Sequence, residues 1–286
     1  NTPAFSTWAT AATNIQAAID AASDGDTVLV APGTYTAAVT INKNDLTVQG
    51  GNGTLWDADR TIINAGGVSR AVTFSGCTNA ILKGVTITGA AGASPGSAVL
   101  FSENPSSSLC KIISCVVRGN SISVNYGIIQ THNEPSSHIE RCIVVGNSGG
   151  SAAIRAGYSA GGYVLNSIVE ANDGPQVSSV FLQNSIVGSG TFRDDGGNIS
   201  TNTTNSVCRL LDIAPASEGV GTNLVWRGVS AYIPRLGSLA RKNGLPYAGI
   251  ETASDGAGGP ALVPAGAEFL GRDVSTNRNH GLPVGG

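Results

Sequence analysis

At 286 residues, with 41% hydrophobic and only 12% charged side chains, the chain is too apolar for a disordered polyampholyte and long enough to bury a large core. A net charge of −3 excludes the basic stripe that a nucleic-acid backbone binder needs. No run approaches the roughly 18 uncharged apolar residues of a transmembrane helix. Glycine at 39 positions, with aromatics at 5%, predicts many tight turns around a narrow core of small side chains.

The first element is a short amphipathic helix. Thr13-x-x-Gln16 reads as a capping box, and Ile15, Ala18, Ile19 and Ala22 line one face. Asp24-Gly25-Asp26 ends it. Strand-like segments then begin at Thr27–Ala31, Ala38–Asn42 and Asp45–Gly50, with the turn Pro32-Gly33 between the first two. The helix is expected to lie across the first strands and block an exposed sheet edge. The residues ahead of it, Asn1–Ala9 with Phe5 and Trp8, are the candidates for a docking strand in self-assembly.

The middle of the chain repeats. Cys115-Val116-Val117-Arg118-Gly119-Asn120 aligns with Cys142-Ile143-Val144-Val145-Gly146-Asn147. Ser167-Ile168-Val169-Glu170-Ala171-Asn172 and Ser185-Ile186-Val187-Gly188-Ser189-Gly190 follow, at spacings of 27, 25 and 18 residues. Val85-Thr86-Ile87-Thr88-Gly89-Ala90 is an earlier member. Repeats of this length built from β-branched runs imply a solenoid. No amphipathic segment of helical length separates them, which excludes leucine-rich and ankyrin-type units. Thr61–Asn64, Ala71–Phe74, Ala80–Lys83, Ala98–Ser102 and Gly127–Gln130 supply further strands. The expected arrangement is two or three strands per coil, stacked in parallel at about 4.8 Å, with about ten coils. Asn120, Asn147 and Asn172 then fall in one column. They are expected to form a hydrogen-bonded ladder at a bend whose αL geometry asparagine tolerates.

Beyond about residue 213 the repeat fades into Ala-, Gly- and Pro-rich sequence with isolated Trp226, Tyr232 and Tyr247, either a cap folding back along the coil or a tail. The five cysteines, Cys77, Cys110, Cys115, Cys142 and Cys208, are odd in number and contain no C-x-x-C. Buried, unpaired thiols are the expectation. Methionine is absent even at position 1, and a secreted chain that has lost a signal peptide is expected.

Asn14-Ile15-Gln16-Ala17-Ala18-Ile19-Asp20, Gly25-Asp26-Thr27-Val28 and Pro32-Gly33-Thr34-Tyr35 resemble the first coil of the right-handed parallel β-helix, or pectate-lyase-like, superfamily. Gly237-Ser238-Leu239-Ala240 and Leu270-Gly271-Arg272-Asp273 resemble the closing segment of bacterial secreted β-helix proteins. The resemblance implies an all-β, right-handed parallel β-helix solenoid with a short N-terminal capping helix. Its divisions are an extension and cap at 1–26, coils at 27–212 and an irregular C-terminal cap or tail at 213–286. It specifies fold and leaves activity open, because the superfamily includes lyases, glycosidases, esterases, phage spikes and non-catalytic surface proteins.

The catalytic constellations of those families are incomplete here. Asp194-Asp195 lacks a nearby Gly-His-Gly, and adjacent Asp residues on a strand face opposite ways; a polar turn before Gly196-Gly197 is the expectation. Ser97-Ala98-Val99-Leu100 carries Ser where the pectin methylesterases carry Gln, and Leu270-Gly271-Arg272 lacks the family's Pro-Trp. Lysines are few and no Arg-x-Pro-x-x-Arg segment exists for a lyase. Two polar groupings stay in play. Arg118, aligned with Val145 and Glu170, and the neighbouring Arg141 form a candidate patch for an acidic sugar. His132, Glu134, His138 and Glu140 are acceptable metal ligands in type, across a loop broken by Pro135-Ser136-Ser137.

The leading expectation is therefore a secreted or cell-surface structural or adhesion β-helix without catalysis and without cofactor, its partner being itself or a polysaccharide. The alternative is an extracellular carbohydrate-active enzyme, a lyase or hydrolase on an acidic polysaccharide, with Ca²⁺ implied only for a lyase.

Overall fold

The computed structural model describes residues 7–68, 70–104, 106–131, 137–157, 161–196, 198–200, 220–232, 252–254 and 260–264. Within it the chain is a right-handed parallel β-helix with a short N-terminal helix, as right-handed crossovers between parallel strands require. Each coil contributes strands to three faces.

The first face stacks β1 (Thr27–Val30), β4 (Thr47–Gly50), β7 (Ile81–Lys83), β11 (Lys111–Ile113), β15 (His138–Glu140), β19 (Tyr163–Leu165) and the end of β21 (Val177–Gln183). The second stacks β2 (Gly33–Thr36), β5 (Thr61–Asn64), β8 (Thr86–Thr88), β12 (Val116–Arg118), β16 (Ile143–Val145), β20 (Ile168–Glu170), β22 (Ile186–Val187) and β24 (Ile199–Ser200). The third stacks β3 (Val39–Ile41), β6 (Val72–Phe74), β10 (Val99–Phe101), β14 (Gly127–Gln130), β18 (Ala152–Arg155), the start of β21, and β23 (Gly190–Asp194). Three short strands, β9 (Ala91–Gly92), β13 (Ser121–Ile122) and β17 (Ser148–Gly149), form a parallel patch at one bend.

Coil length falls along the axis. Thr47 pairs with Ile81, Lys111 with His138, Tyr163 with Phe181, and Phe181 with Arg193. The coils therefore tighten until the loop between the third and first faces disappears. β21 runs through that corner with a register shift at Ser178/Val180 and Ser179 in the left-handed region (φ 59), joining both faces into one sheet of thirteen strands. The second face counts eight strands among the described residues, so eight rungs form within residues 27–200.

The core follows from strand alternation. Val48, Leu82, Ile112, Ile139, Val164 and Leu182 lie in one inward column, all fully buried, and Phe74 stacks on Phe101 at 4.8 Å in another. Helix α1 (Ile15–Ala21) buries Ile15 and Ile19 over the first rung. Its N-cap is Asn14, whose side chain accepts from Ala17 N–H at 2.8 Å, rather than the expected Thr13. Gln16, released from the capping box, bonds the first rung at Thr40 instead.

The asparagine column forms as expected. Asn120 Nδ2 donates to Asn147 Oδ1 (3.0 Å) and Asn147 Nδ2 to Asn172 Oδ1 (2.8 Å), and the column ends on Gln176 (2.7 Å). The αL residue is not the asparagine but its predecessor, Gly119, Gly146 or Ala171. That frees each amide to point inward. A second ladder stands at the corner between the first two faces. Cys142 N–H donates to Ser167 Oγ (3.0 Å), Ser167 N–H to Ser185 Oγ (3.1 Å) and Ser185 N–H to Asn198 Oδ1 (2.9 Å). Cys77, Cys110, Cys115 and Cys142 are buried and free; Cys208 lies outside the described residues.

Residues 220–232 return along the outside of the second face. Leu224, Trp226, Val229 and Tyr232 cover the outward side chains of Val116, Ile143, Val145, Ile168 and Ile186, with help from helix α2 (Leu55–Ala58). Val116, Ile143, Ile168 and Ile186 are apolar on both sides of the strand for this reason: the inner neighbours face the core and these face the cover.

Candidate binding face

With the second face covered, outward side chains remain partly open to solvent on the first and third faces, and the first carries the aromatic and charged ones. Register places Lys111, His138, Tyr163, Phe181 and Arg193 in one outward column, and Lys83, Ile113, Glu140, Leu165 and Gln183 in the next. Parallel in-register stacking brings like positions of successive coils about 4.8 Å apart, so side chains in a column must touch.

The first column is continuous. His138 meets Tyr163 edge-on at 5.1 Å between ring centroids, Tyr163 stacks on Phe181 at 4.9 Å, and the Arg193 guanidinium lies 5.0 Å over Phe181. Arg193 Nε also pairs with Asp195 at 3.0 Å. Tyr163 and Phe181 stack face to face, His138 meets them edge-on, and all three rings are half-buried, so they offer a ligand a half-exposed apolar ridge.

At the other end sits a charged cluster. The Glu140 carboxylate, 14% exposed, receives His138 Nδ1 at 3.0 Å and Lys111 Nζ at 3.6 Å. Burial pushes its proton affinity up, but the hydrogen bond from His138 and the charges of Lys111, His138 and Arg141 outweigh that. The carboxyl is held below the ordinary carboxylate range. Glu140 is thus an acceptor at neutral pH, suited to orienting a cation or a hydroxyl rather than to giving up a proton.

Of the expected metal ligands, His138 and Glu140 share one side of β15 and bond each other; His132 and Glu134 lie outside the described residues. Among the described residues no three His, Cys, Asp or Glu side chains gather as a metal site.

The expected patch of Arg118, Arg141 and Glu170 is not assembled. Arg118 and Glu170 do share a column with Val145. Instead of an open face, that column lies under residues 220–232: Val145 is fully buried, Glu170 is 7% exposed, and Arg118 stacks 5.2 Å from the Trp226 ring. Burial lifts the Glu170 carboxyl to about 7 against the lowering effect of the Ala171 backbone. Arg141 sits at the opposite end of β16, in the left-handed region (φ 51), and its charge acts on Glu140. A cap folding back along the coil was one of two expectations beyond residue 213, but nothing local to Arg118 or Glu170 tells which face it covers, so a covered column reads as a solvent-facing one. Trp8 is 67% exposed on the N-terminal cap; Phe5 lies outside the described residues.

Asp194 and Asp195 face opposite ways, as adjacent strand residues must. Asp195 turns outward to Arg193. Asp194 follows Leu182 in the inward column, accepting there from Gly196 N–H and Asn198 Nδ2. A carboxylate thus ends an otherwise apolar core column.

The aromatic column escaped the sequence reading although the repeat carried its signal. Extending the aligned blocks four residues toward the N-terminus gives Lys111, His138, Tyr163 and Phe181 in turn. The position lies outside the β-branched run, where residue type varies from coil to coil and gives no repeat by itself.

No protein-family model matches the chain, and no curated protein matches it. Several solved structures do. The pectin methylesterase from Aspergillus niger in deglycosylated form is 16% identical, covering 70% of this chain and 86% of that one at a TM-score of 0.41. A pectin methylesterase in complex with a hexasaccharide is 15% identical, over 67% of this chain and 64% of that one, at 0.40. An alginate lyase complexed with G6 is 11% identical, over 74% and 65%, at 0.26. No functional residue is carried over from them.

Proposed function

We propose that the protein is a secreted or cell-surface attachment β-helix that holds a linear polysaccharide along its first face. The observation that carries this reading is the outward column of contacts from His138 to Arg193, joined to Lys111 through Glu140 and flanked by Asp195. A linear glycan and a solenoid are both one-dimensional repeats, and an apolar ridge bordered by charged donors and acceptors suits a sugar chain's mixed apolar and hydroxyl surface. Lys83, Lys111, Arg141 and Arg193 outnumber the two carboxylates there, which favours an acidic polymer.

At the N-terminal end of the solenoid α1 lies across the first rung, which speaks against filament formation by axial stacking there.

The test is retention on immobilised acidic and neutral polysaccharides, comparing the native protein with Lys111→Ala/Arg193→Ala. Loss of retention in the double variant, with unchanged unfolding, supports attachment through this face. Equal retention would reject it. Unsaturated or new reducing-end products in the same incubations would replace attachment with the enzymatic alternative.

A further inference from the structure

Two thiols meet inside the bend that leads from the third face to the first. Three successive coils make that bend on a left-handed residue: Asp45 (φ 54), Asn79 (φ 56) and Leu109 (φ 54). The coils are tied together there. Asn79 Nδ2 donates to Asp45 Oδ1 at 2.7 Å, Asn79 N–H donates to the Ser108 carbonyl at 2.9 Å, and the Thr78 and Ser108 hydroxyls bond at 3.2 Å. Cys77 leads into one bend and Cys110 leads out of the next. Their sulfurs lie 3.6 Å apart although the residues are 33 positions apart in sequence. Both thiols are buried, yet Thr78, Asn79 and Leu109 of the surrounding bends are exposed.

The hydrogens of these two thiols are spare. Cys77 Sγ donates to the Ile41 carbonyl at 3.3 Å, which already accepts from Ser75 N–H at 2.9 Å. Cys110 Sγ reaches the Ser108 carbonyl at 3.3 Å and the Cys77 carbonyl at 3.5 Å. Those two accept from Asn79 N–H (2.9 Å) and Ser108 N–H (3.0 Å). Losing both S–H groups therefore leaves no buried carbonyl without a donor. Cys115 and Cys142 are placed differently. Cys142 Sγ accepts from Cys115 N–H (3.5 Å), as Ser167 Oγ accepts from Cys142 N–H (3.0 Å), so that sulfur stands in for a ladder hydroxyl. The bend residues preceding them, Ser114 and Arg141, are buried and half-buried.

We propose that Cys77 and Cys110 are a redox site at which a low-molecular-weight disulfide oxidises the pair to a bond latching two successive coils. Covalent sulfurs stand about 2 Å apart, a closure that side-chain rotation beneath a tied bend can make. The Cys110 thiolate attacks one sulfur of the oxidant and expels the other as a thiolate. Cys77, deprotonated, then displaces the remaining half. The pair gives up two electrons and two protons, and the oxidant leaves as two thiols. The hydrogen bond from Cys77 holds Cys110 below the ordinary thiol range, which makes Cys110 the first to attack. Closing a loop of one whole coil removes freedom from the unfolded chain, so the latch stabilises the fold.

Oxidised glutathione added to the reduced full chain, then acid quenching, unfolding and alkylation, reads the state of each cysteine. The expected result is a peptide carrying a Cys77–Cys110 link, with Cys115 and Cys142 still alkylated. The linked protein should unfold at a urea concentration about 1 M above that of the reduced protein, and dithiothreitol should reverse the shift. In Cys77→Ser, Cys110 should stop at the mixed disulfide with glutathione. Cys77 and Cys110 both still alkylated after incubation would overturn the proposal. So would either of them joined instead to another cysteine, or a link that lowers the urea midpoint. If Cys77→Ser does not fold, the thiol map and urea midpoints of the unaltered chain still decide.

Discussion

Replacing Asn147 by alanine removes the centre of the asparagine ladder, and its cost can be worked from the contacts. Asn147 Nδ2 donates to Asn172 Oδ1 (2.8 Å), to the Val117 carbonyl (2.9 Å) and to the Val145 carbonyl (3.1 Å). Its Oδ1 accepts from Asn120 Nδ2 (3.0 Å) and Asn120 N–H (3.1 Å). These losses are unequal. Asn172 Oδ1 keeps the Asn147 backbone N–H at 3.0 Å, and Asn120 Nδ2 keeps the Ile87 carbonyl at 3.0 Å. The Asn120 backbone N–H has no such substitute and is left buried without a partner. One orphaned donor costs about 1–3 kcal/mol, and the remaining bonds about 0.5–1.5 kcal/mol each before relaxation. The sum is about 3–9 kcal/mol before relaxation, so a loss of at least about 3 kcal/mol is expected, a large share of the roughly 5–15 kcal/mol that holds a domain together.

The assay is urea unfolding followed by far-ultraviolet circular dichroism, with Asn125→Ala at an exposed bend as control. Asn147→Ala should lower the midpoint by more than about 1 M for a slope of 1–3 kcal/mol/M, and the control should leave it in place. Because solenoid stability is a sum over neighbouring coils, exchange at Val117 and Val169 should quicken before that at Val48. A midpoint shift worth under about 1 kcal/mol would refute the ladder as a principal tie between coils.

Two carboxylates of opposite environment give opposite pH signatures. Glu140 has a folded affinity below its ordinary 4.5, so its stabilisation is present above that pH and is lost as pH falls through the folded value; Glu140→Gln should flatten the acid limb of a stability–pH curve. Glu170, lifted to about 7 from 4.5, binds its proton more tightly folded than unfolded. Its effect is a loss of stability as pH rises between those values. Glu170→Gln should make the protein more stable at pH 8 by about 1–3 kcal/mol and remove that slope, as thermal unfolding at pH 5 and 8 would show. Gly84→Ala places a Cβ 2.6 Å from the Gly53 backbone at φ 68, and should cost more than about 2 kcal/mol in the same unfolding assay. Arg118→Ala removes the partner of Trp226, and limited proteolysis should then cut residues 220–232 sooner than in the native chain.

How much of this was legible before the structure depends on which forces act along the chain and which act across it. The coil register was readable because Cys115, Cys142, Ser167 and Ser185 mark a corner that every turn must make with the same geometry. The matching Asn120, Asn147 and Asn172 mark the next corner. The ladder's αL residue was misassigned because Gly119 and Gly146 are unremarkable in a chain this rich in glycine, and Ala171 is an unusual residue there. Arg118 and Glu170 were correctly aligned but wrongly thought open, since only a segment distant in sequence decides their burial. Coil length was hidden for a related reason: a mean repeat length does not show that early coils carry long insertions such as Gly51–Arg60, which forms α2 against the second face.

The contrast between the two outer faces locates the chemistry. A parallel β-helix constrains its inward positions and corners tightly, because a polar side chain inside or a wrong φ at a bend costs several kcal/mol. Outward positions are constrained only where something covers them. On the second face the cover fixes them as Val116, Ile143, Ile168 and Ile186. On the first face nothing among the described residues demands that Lys111, His138, Tyr163, Phe181 and Arg193 be what they are, and a Thr or Ser at each would serve the sheet as well. Yet His138, Tyr163, Phe181 and Arg193 touch in sequence across four coils, and Lys111 joins His138 through Glu140. Stacking accounts for part of that run, since rings packed on rings stabilise neighbouring coils. It does not account for the Arg193–Asp195 pair that flanks it, for an exposed pair adds about 0–1 kcal/mol. Charges set beside an apolar ridge at so little gain to stability are better explained by what they meet from outside.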